Sequence, residues 1–334
     1  MNISRSLTVL FLLFLAACDS ADISADYSAD RAQEPIVVAA KIHWFDGSVE
    51  QGFELTKAED KPVYLYWGAV WCPPCQEIKN TVFKSKQFIA QTELFVPIYL
   101  DGDTDRAQAW GDKFDVKGYP TMIVFNPDGE EVTRIPGGID ISRYNTVLAL
   151  SLAQMRPTAM LVDLAINSPE KLLPNDFVQL AYYSWGQDSN SLPEDTPATF
   201  FSDLSDISSD KEASARLYME YLGALSRELE SKDSESTNEG EPGISTGAFE
   251  RVSAILDSPQ LTLACWDSLA YYAEEIAALP VFSDEELAAL KNKWQTQIIA
   301  LRHQQSLSTA EQLAGYPCWP SISWKMKMHR YQNQ

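Results

Sequence analysis

Cys72-Pro73-Pro74-Cys75 sets two thiols two residues apart, directly behind Trp71 and the apolar run Val63-Tyr64-Leu65-Tyr66-Trp67. Thiols at that spacing can cycle between a dithiol and a disulfide. The run before them has the character of a buried strand and the segment after them that of a helix. Cys72 therefore falls at a helix N-terminus, where unpaired N–H groups and the helix dipole stabilise a thiolate. The thiolate is the attacking species in disulfide exchange, so this placement turns an ordinary cysteine into a reagent.

The elements that must hold this pair can be read along the chain. Order begins near Ile42-His43-Trp44-Phe45. Glu50–Glu59 has helical spacing, with Phe53 on its apolar side, and Asp60-Lys61-Pro62 stops it. Val63–Trp67 is a continuous run rich in β-branched and aromatic residues, as expected of a strand covered on both faces. Gln76–Phe83 is helical, Ser85 caps a short helix through Thr92, and Leu94–Leu100 is a second strand. Asp105–Asp115 is helical, Thr121–Phe125 and Glu131–Ile135 form a hairpin around Asn126-Pro127-Asp128-Gly129, and Ser142–Met155 closes with a helix. The order is βαβ, helix, β-hairpin, helix.

Those motifs together resemble the thioredoxin fold. Within that superfamily they are most similar to the C-terminal periplasmic domain of the bacterial membrane thiol:disulfide interchange protein and its lipoprotein and secreted relatives. The matching residues are Lys61-Pro62-Val63, Trp71-Cys72-Pro73-Pro74-Cys75, Thr81-Val82-Phe83, Gly118-Tyr119-Pro120-Thr121, Asn126-Pro127-Asp128-Gly129 and Gly137-Gly138. The resemblance implies an α/β thioredoxin fold, a mixed central sheet flanked by helices, over 41–155. It makes Cys72 the nucleophile, Cys75 the buried resolving thiol and Pro120 a cis-proline facing the pair, an uncommon bond that marks a required backbone shape. Trp71, Tyr119 and Gly137 would line the substrate position, and the cis-proline would keep metal ions off the thiols. Thioredoxins also carry a buried Asp on the strand before the motif. Here that position is Tyr66, and the lysine that often partners the Asp falls at Pro97. Proton transfer to Cys75 is left to water, Tyr66 or a carboxylate such as Glu77. No cofactor is implied.

Exchange potentials in this fold run from about −270 mV for a reductant to about −120 mV for an oxidant. Pro73 and Pro74 have no N–H to offer the Cys72 sulfur, which favours the reducing direction. The resemblance implies protein disulfides as substrates, and outside the cytosol a membrane electron carrier is the natural supplier of electrons to re-reduce the pair. The competing reading is a non-enzymatic scaffold lipoprotein whose helical half binds a partner, with the cysteines as a static disulfide. A zinc site on Cys72, Cys75, Cys265 and Cys318 is a third reading, opposed by the cis-proline.

Arg5 and the apolar stretch Leu7–Ala17 form a signal-peptide core, too short for the roughly 20 residues of a membrane span. Leu15-Ala16-Ala17-Cys18 resembles the bacterial lipobox, in which Cys18 is lipidated and becomes the first mature residue. Asp19 resembles a signal for retention in the inner membrane, so the expected location is the periplasmic side of the cell envelope, on a lipid anchor. The other reading is an ordinary signal peptide with Cys18 incidental. Five cysteines less Cys18 leave four, which permits a structural disulfide between Cys265 and Cys318 in an oxidising compartment. The formal charge of −21 over 334 residues argues against nucleic-acid binding and against electrostatic adhesion to anionic lipid. With three scattered histidines, a histidine-rich metal centre is not expected.

Four parts are thus expected: a signal peptide over 1–17, a flexible tether over 18–40, the thioredoxin-like domain over 41–155, and an all-α domain over 156–334 with a mobile acidic loop near 231–246. Helical spacing marks Leu161–Ile166, Phe177–Trp185, Ala213–Leu229, Leu263–Leu279 and Glu285–His303, the last opened by a capping box at Ser283-Asp284-Glu285-Glu286.

Overall fold

In the computed structural model, which describes residues 41–303 apart from 138, 194–195 and 235–246, the apolar run before the cysteines becomes an inner strand of a four-stranded sheet. In chain order the elements are α1 (Val49–Glu59), β1 (Val63–Gly68), α2 (Pro73–Asn80), α3 (Lys86–Gln91), β2 (Val96–Asp101), α4 (Asp105–Lys113), β3 (Thr121–Phe125), β4 (Glu131–Ile135) and α5 (Ile141–Gln154). The sheet runs β2-β1-β3-β4; β1 is parallel to β2 and antiparallel to β3, and β4 is antiparallel to β3. The expected mixed sheet flanked by helices is the fold observed.

β1 is buried at every residue, and its alternation divides the core. Val63, Leu65 and Trp67 face one layer with Ile98, Leu100, Ile123 and Phe125, where Phe53 of α1 and Trp110 of α4 cover them. Tyr64 and Tyr66 face the opposite layer with Ile78 of α2 and Tyr144 and Leu148 of α5. A period-2 strand with apolar residues on both sides needs helices on both sides, and the α1/α4 and α2/α5 pairs supply them. Local chemistry fixes the helix ends. Ser48 and Gln51 form a reciprocal capping box on α1, Ser85 accepts the Phe88 N–H to start α3, and Asp140 receives the Ser142 and Arg143 N–H groups to start α5.

The helical part follows as α6 (Thr158–Asn167), α7 (Pro174–Ala181), α8 (Pro197–Ile207), α9 (Lys211–Ser234), α10 (Ala248–Asp257), α11 (Pro259–Ala264), α12 (Trp266–Tyr271), α13 (Ala273–Ala278) and α14 (Asp284–His303). Its core is continuous with the α2/α5 layer, running from Tyr66 and Tyr144 through Leu180, Phe201 and Leu222 to Trp266 and Trp294. The described residues of both halves form one compact unit. β4 would be an exposed edge, a row of unpaired groups open to a second chain. Instead the Val132 carbonyl accepts the Thr158 hydroxyl at 2.8 Å and the Gln179 amide at 2.6 Å, and the Arg134 carbonyl accepts the Ser184 N–H at 2.8 Å.

Three helix expectations need correction. Gln76–Phe83 does not run through, since α2 ends at Asn80 and Val82–Lys84 is a separate 3-10 turn. Phe177–Trp185 does not run through: α7 ends at Ala181, and Trp185–Gln187 is a separate 3-10 turn that turns Trp185 inward against Phe200 and Phe201. Leu263–Leu279 is broken at Cys265 and Tyr272 into α11, α12 and α13. The break at Cys265 has a visible cause, since the buried Arg216 guanidinium takes the Ala264 carbonyl and grips the Asp267 carboxylate through two bonds of 2.7 and 2.8 Å. The Ser283/Glu286 capping box forms and opens α14.

Among the described residues no single helix is long and apolar enough to cross a membrane; α5 and α6 pass together only as a pair bent by 82°. The expected signal peptide, Cys18, Asp19, the tether, most of the acidic loop, Gly138 and Cys318 lie outside the described residues.

Candidate active site

Cys72 is the N-cap of α2, with extended backbone (φ −87°, ψ 109°), and Pro73 and Pro74 occupy the first two helical positions. Proline suits those positions because its fixed φ is helical and its missing N–H has no partner there. One backbone donor reaches the Cys72 sulfur: the Cys75 N–H, at 3.2 Å. The two cysteines are joined as a disulfide with their Cα atoms 5.2 Å apart. Cys75 is fully buried and Cys72 is 3% exposed, packed with Ala69 and Tyr119.

The Tyr119–Pro120 bond is cis. It brings the Tyr119 carbonyl oxygen within 3.6 Å of the Cys72 sulfur, close enough to accept an S–H when the pair is reduced. Tyr119 is held from behind, its hydroxyl donating to the Gly102 carbonyl at 3.3 Å and receiving the Gln108 amide at 2.9 Å. Around the buried sulfurs lies an apolar rim, since Val70 is 68% and Trp71 64% exposed. Trp71 is oriented by its indole N–H, which donates to Asp103 at 2.8 Å, and its ring lies 6.2 Å from that of Tyr119.

Gly137 sits directly against the cis-proline. A Cβ there would lie 2.8 Å from Pro120 Cγ and 3.4 Å from Cδ, and a pyrrolidine ring cannot rotate away. Gly137→Ala is therefore expected to displace Pro120 and lower the exchange rate with a protein disulfide by about tenfold, as a misplacement near the reacting atoms does. Overpacking should also cost about 1–3 kcal/mol of stability. Steady-state exchange kinetics and thermal melts of the variant check both numbers.

Beneath Cys75 the expected substitution of the buried Asp takes a definite form. Tyr66 stacks on Tyr99 at 5.4 Å, packs edge-on to Phe83 at 4.8 Å, and donates its hydroxyl to the Cys75 carbonyl at 3.5 Å. Burial first, and then the neighbouring Tyr99, push its phenol well above the ordinary value. Tyr66 thus acts as a neutral donor at the base of α2. The residue directly across from it on β2 is Tyr99, and Pro97, where the lysine would fall, lies two residues along the same strand, opposite Tyr64. Lys79 reaches the Tyr99 hydroxyl at 3.1 Å and sits 4.8 Å from its ring centre.

The structure thus gathers Cys72, Cys75, Pro120, Trp71, Tyr119 and Gly137 into one locus. Cys265 is not part of it: it is buried in the helical core near Arg216, and burial pushes its thiol up to about 12. Among the described residues no group of three His, Cys, Asp or Glu could hold a metal ion. Sequence reasoning missed Gln187, whose side chain reaches the cis-proline segment from the helical part, its amide 3.5 Å from the Pro120 carbonyl. Its side-chain partners, Pro120 and Thr121, lie more than sixty residues away in the chain, so no local signal could have pointed to it.

A model of the thioredoxin-like domain matches residues 49–151. Among curated relatives, the thiol:disulfide interchange protein DsbD of Photorhabdus laumondii is 27% identical over 95 residues, covering 27% of this chain and 16% of the relative. DsbD of Yersinia pestis is 31% identical over 96 residues, with the same coverage. Thioredoxin H5 of Oryza sativa is 24% identical over 126 residues, covering 37% of this chain and 84% of the relative. The chain thus spans 16% of the length of the DsbD relatives it matches. A solved DsbH oxidoreductase aligns at 18% identity and a TM-score of 0.33, over 38% of this chain and 96% of that one. Residues 49–151 form a thioredoxin-like domain, and Cys72 and Cys75 are its paired cysteines.

Proposed function

We propose that this chain is a thiol:disulfide oxidoreductase of the bacterial envelope, tethered to the membrane by a lipid on Cys18, that reduces protein disulfides through the Cys72/Cys75 dithiol. The observation that carries this reading is the placement of the Cys72 sulfur. It sits at the N-cap of α2, receives the Cys75 N–H, and faces the Tyr119 carbonyl on the cis-proline segment. The names of the DsbD relatives point to the same chemistry.

In the reducing direction the Cys72 thiolate attacks one sulfur of a substrate disulfide. The substrate S–S bond breaks, its other sulfur leaves as a thiolate and takes a proton, and a Cys72–substrate disulfide forms. Cys75 then loses its proton and attacks Cys72, releasing the second substrate thiol and closing the Cys72–Cys75 disulfide. Two electrons and two protons pass from the protein dithiol to the substrate. A dithiol electron donor at the membrane restores the pair. With Pro73 and Pro74 unable to donate, a thiolate at Cys72 is held by one backbone N–H, so the dithiol gives up its electrons readily.

Residues 1–17 serve as the signal peptide, 18–40 as the tether, 41–155 as the redox domain and 156–334 as a helical domain. Asp19 favours the inner membrane, with the redox domain on the periplasmic side. In bacterial cells fed labelled palmitate, the wild-type chain should take up label and Cys18→Ser should not. Label retained by Cys18→Ser would contradict the anchor.

A further inference from the structure

The α4–β3 connection, which carries the cis-proline, is held at both ends by one segment of the helical part. At its start Asp115, in the left-handed region (φ 53°), accepts the Asn190 amide at 3.1 Å. At its end the Thr121 hydroxyl lies 2.6 Å from the Gly118 carbonyl and 2.8 Å from the Gln187 amide oxygen, while the Gln187 amide nitrogen lies 3.5 Å from the Pro120 carbonyl. Arg134 ties the two together. Its guanidinium donates to the Phe114 carbonyl at 3.0 Å and to the Gln187 carbonyl at 3.2 Å, and is itself paired with Glu131.

The segment that reaches over is itself firmly seated. Trp185 is 2% exposed, its indole N–H donates to the Leu180 carbonyl at 2.9 Å, and its ring packs on Tyr183, Phe200 and Phe201. Between the ends of the connection, the Pro120 carbonyl finds its donor in the Gln187 side chain, so a backbone acceptor of this segment is satisfied from the helical part.

We propose that Ser184–Asn190 is a brace for the cis-proline segment and that Gln187 is a positioning residue for disulfide exchange. It sets where the Tyr119–Pro120 backbone lies relative to the Cys72 sulfur, and through it the helical part takes a share in substrate reduction. The inference rests on the oxidoreductase reading. A protein disulfide must lie along this backbone to present its sulfur, whereas a small disulfide needs Cys72 alone. The brace therefore acts on the first and spares the second.

The test compares Gln187→Met, which keeps the volume and removes both contacts, with wild type in the full chain. Two substrates are used: insulin under dithiothreitol, and a small aromatic disulfide mixed with pre-reduced protein in the absence of dithiothreitol. The expected result is a fall of about tenfold in kcat/KM for insulin, carried by KM, the scale of a positional defect beside the reacting atoms. The rate with the small disulfide and the melting temperature should stay at wild type. Thr121→Val, which removes the contact to the Gln187 amide oxygen together with that to the Gly118 carbonyl, should lower kcat/KM for insulin at least as far. Equal losses with both substrates, or no loss with either, would overturn the brace and leave the exchange reaction standing. A wild-type protein that exchanges with neither disulfide would overturn the reaction itself, and the brace with it.

Discussion

Cys72→Ser is expected to reduce disulfide exchange to the uncatalysed rate, while Cys75→Ser should still attack and then accumulate substrate-linked protein. The asymmetry follows from the site. The Cys72 sulfur receives the Cys75 N–H and faces the Tyr119 carbonyl, at the mouth rimmed by Val70 and Trp71. Cys75 lies one helical turn deeper and is fully buried, its carbonyl held by Tyr66. A substrate sulfur arriving from solvent meets Cys72 first, and Cys75 can reach only Cys72. Without Cys75 the mixed disulfide has no internal exit. Non-reducing gels of cells expressing each variant separate the outcomes: adducts that collapse on reduction for Cys75→Ser, and none for Cys72→Ser. Full turnover by Cys72→Ser would place the nucleophile elsewhere.

Arg216→Met should strongly destabilise the helical part. The guanidinium is almost completely buried, paired with Asp267, hydrogen-bonded to the Ala181 and Ala264 carbonyls, and 4.3 Å from the Tyr182 ring centre. Removing it leaves the Asp267 carboxylate and two carbonyls unpartnered, and breaking a buried pair this way costs about 3–5 kcal/mol. At about 1.5–2 °C per kcal/mol for a chain of this size, the melting temperature should drop by roughly 5–10 °C. Replacing both partners, Arg216→Met with Asp267→Leu, should recover most of the loss, because no charge is then stranded. The core runs unbroken from β1 to α14, so each melt should show one transition, followed by circular dichroism. An unchanged melting temperature for Arg216→Met would contradict the role given to the pair.

The sheet and the cysteine site were open to sequence reading because their signals are local. Val63–Trp67 is apolar at every position, as only a strand covered on both faces requires, and Cys72-Pro73-Pro74-Cys75 carries its own helix start. α10 also had the signal, with Ala248, Val252, Ile255 and Leu256 at helical spacing, hidden beside an acidic stretch. α8 was harder: Ser202, Asp203, Ser205 and Asp206 dilute its pattern, and Phe200, Phe201 and Leu204 find their partners across the fold. The break at Cys265 and the reach of Gln187 were illegible for a common reason. Each depends on a side chain dozens of residues away that claims a carbonyl the local pattern assigns elsewhere or leaves open.

The central claim is that Cys72 and Cys75 form a reversible, reducing couple. It is tested most directly by a redox titration of the purified protein in glutathione buffers, with thiol alkylation and mass readout at both cysteines. The expected result is a cooperative gain of two alkyl groups as the buffer becomes reducing, with a midpoint near the reductant end at about −270 mV. A midpoint near the oxidant end, about −120 mV, would reverse the proposed direction. A pair that never titrates would contradict the exchange reaction.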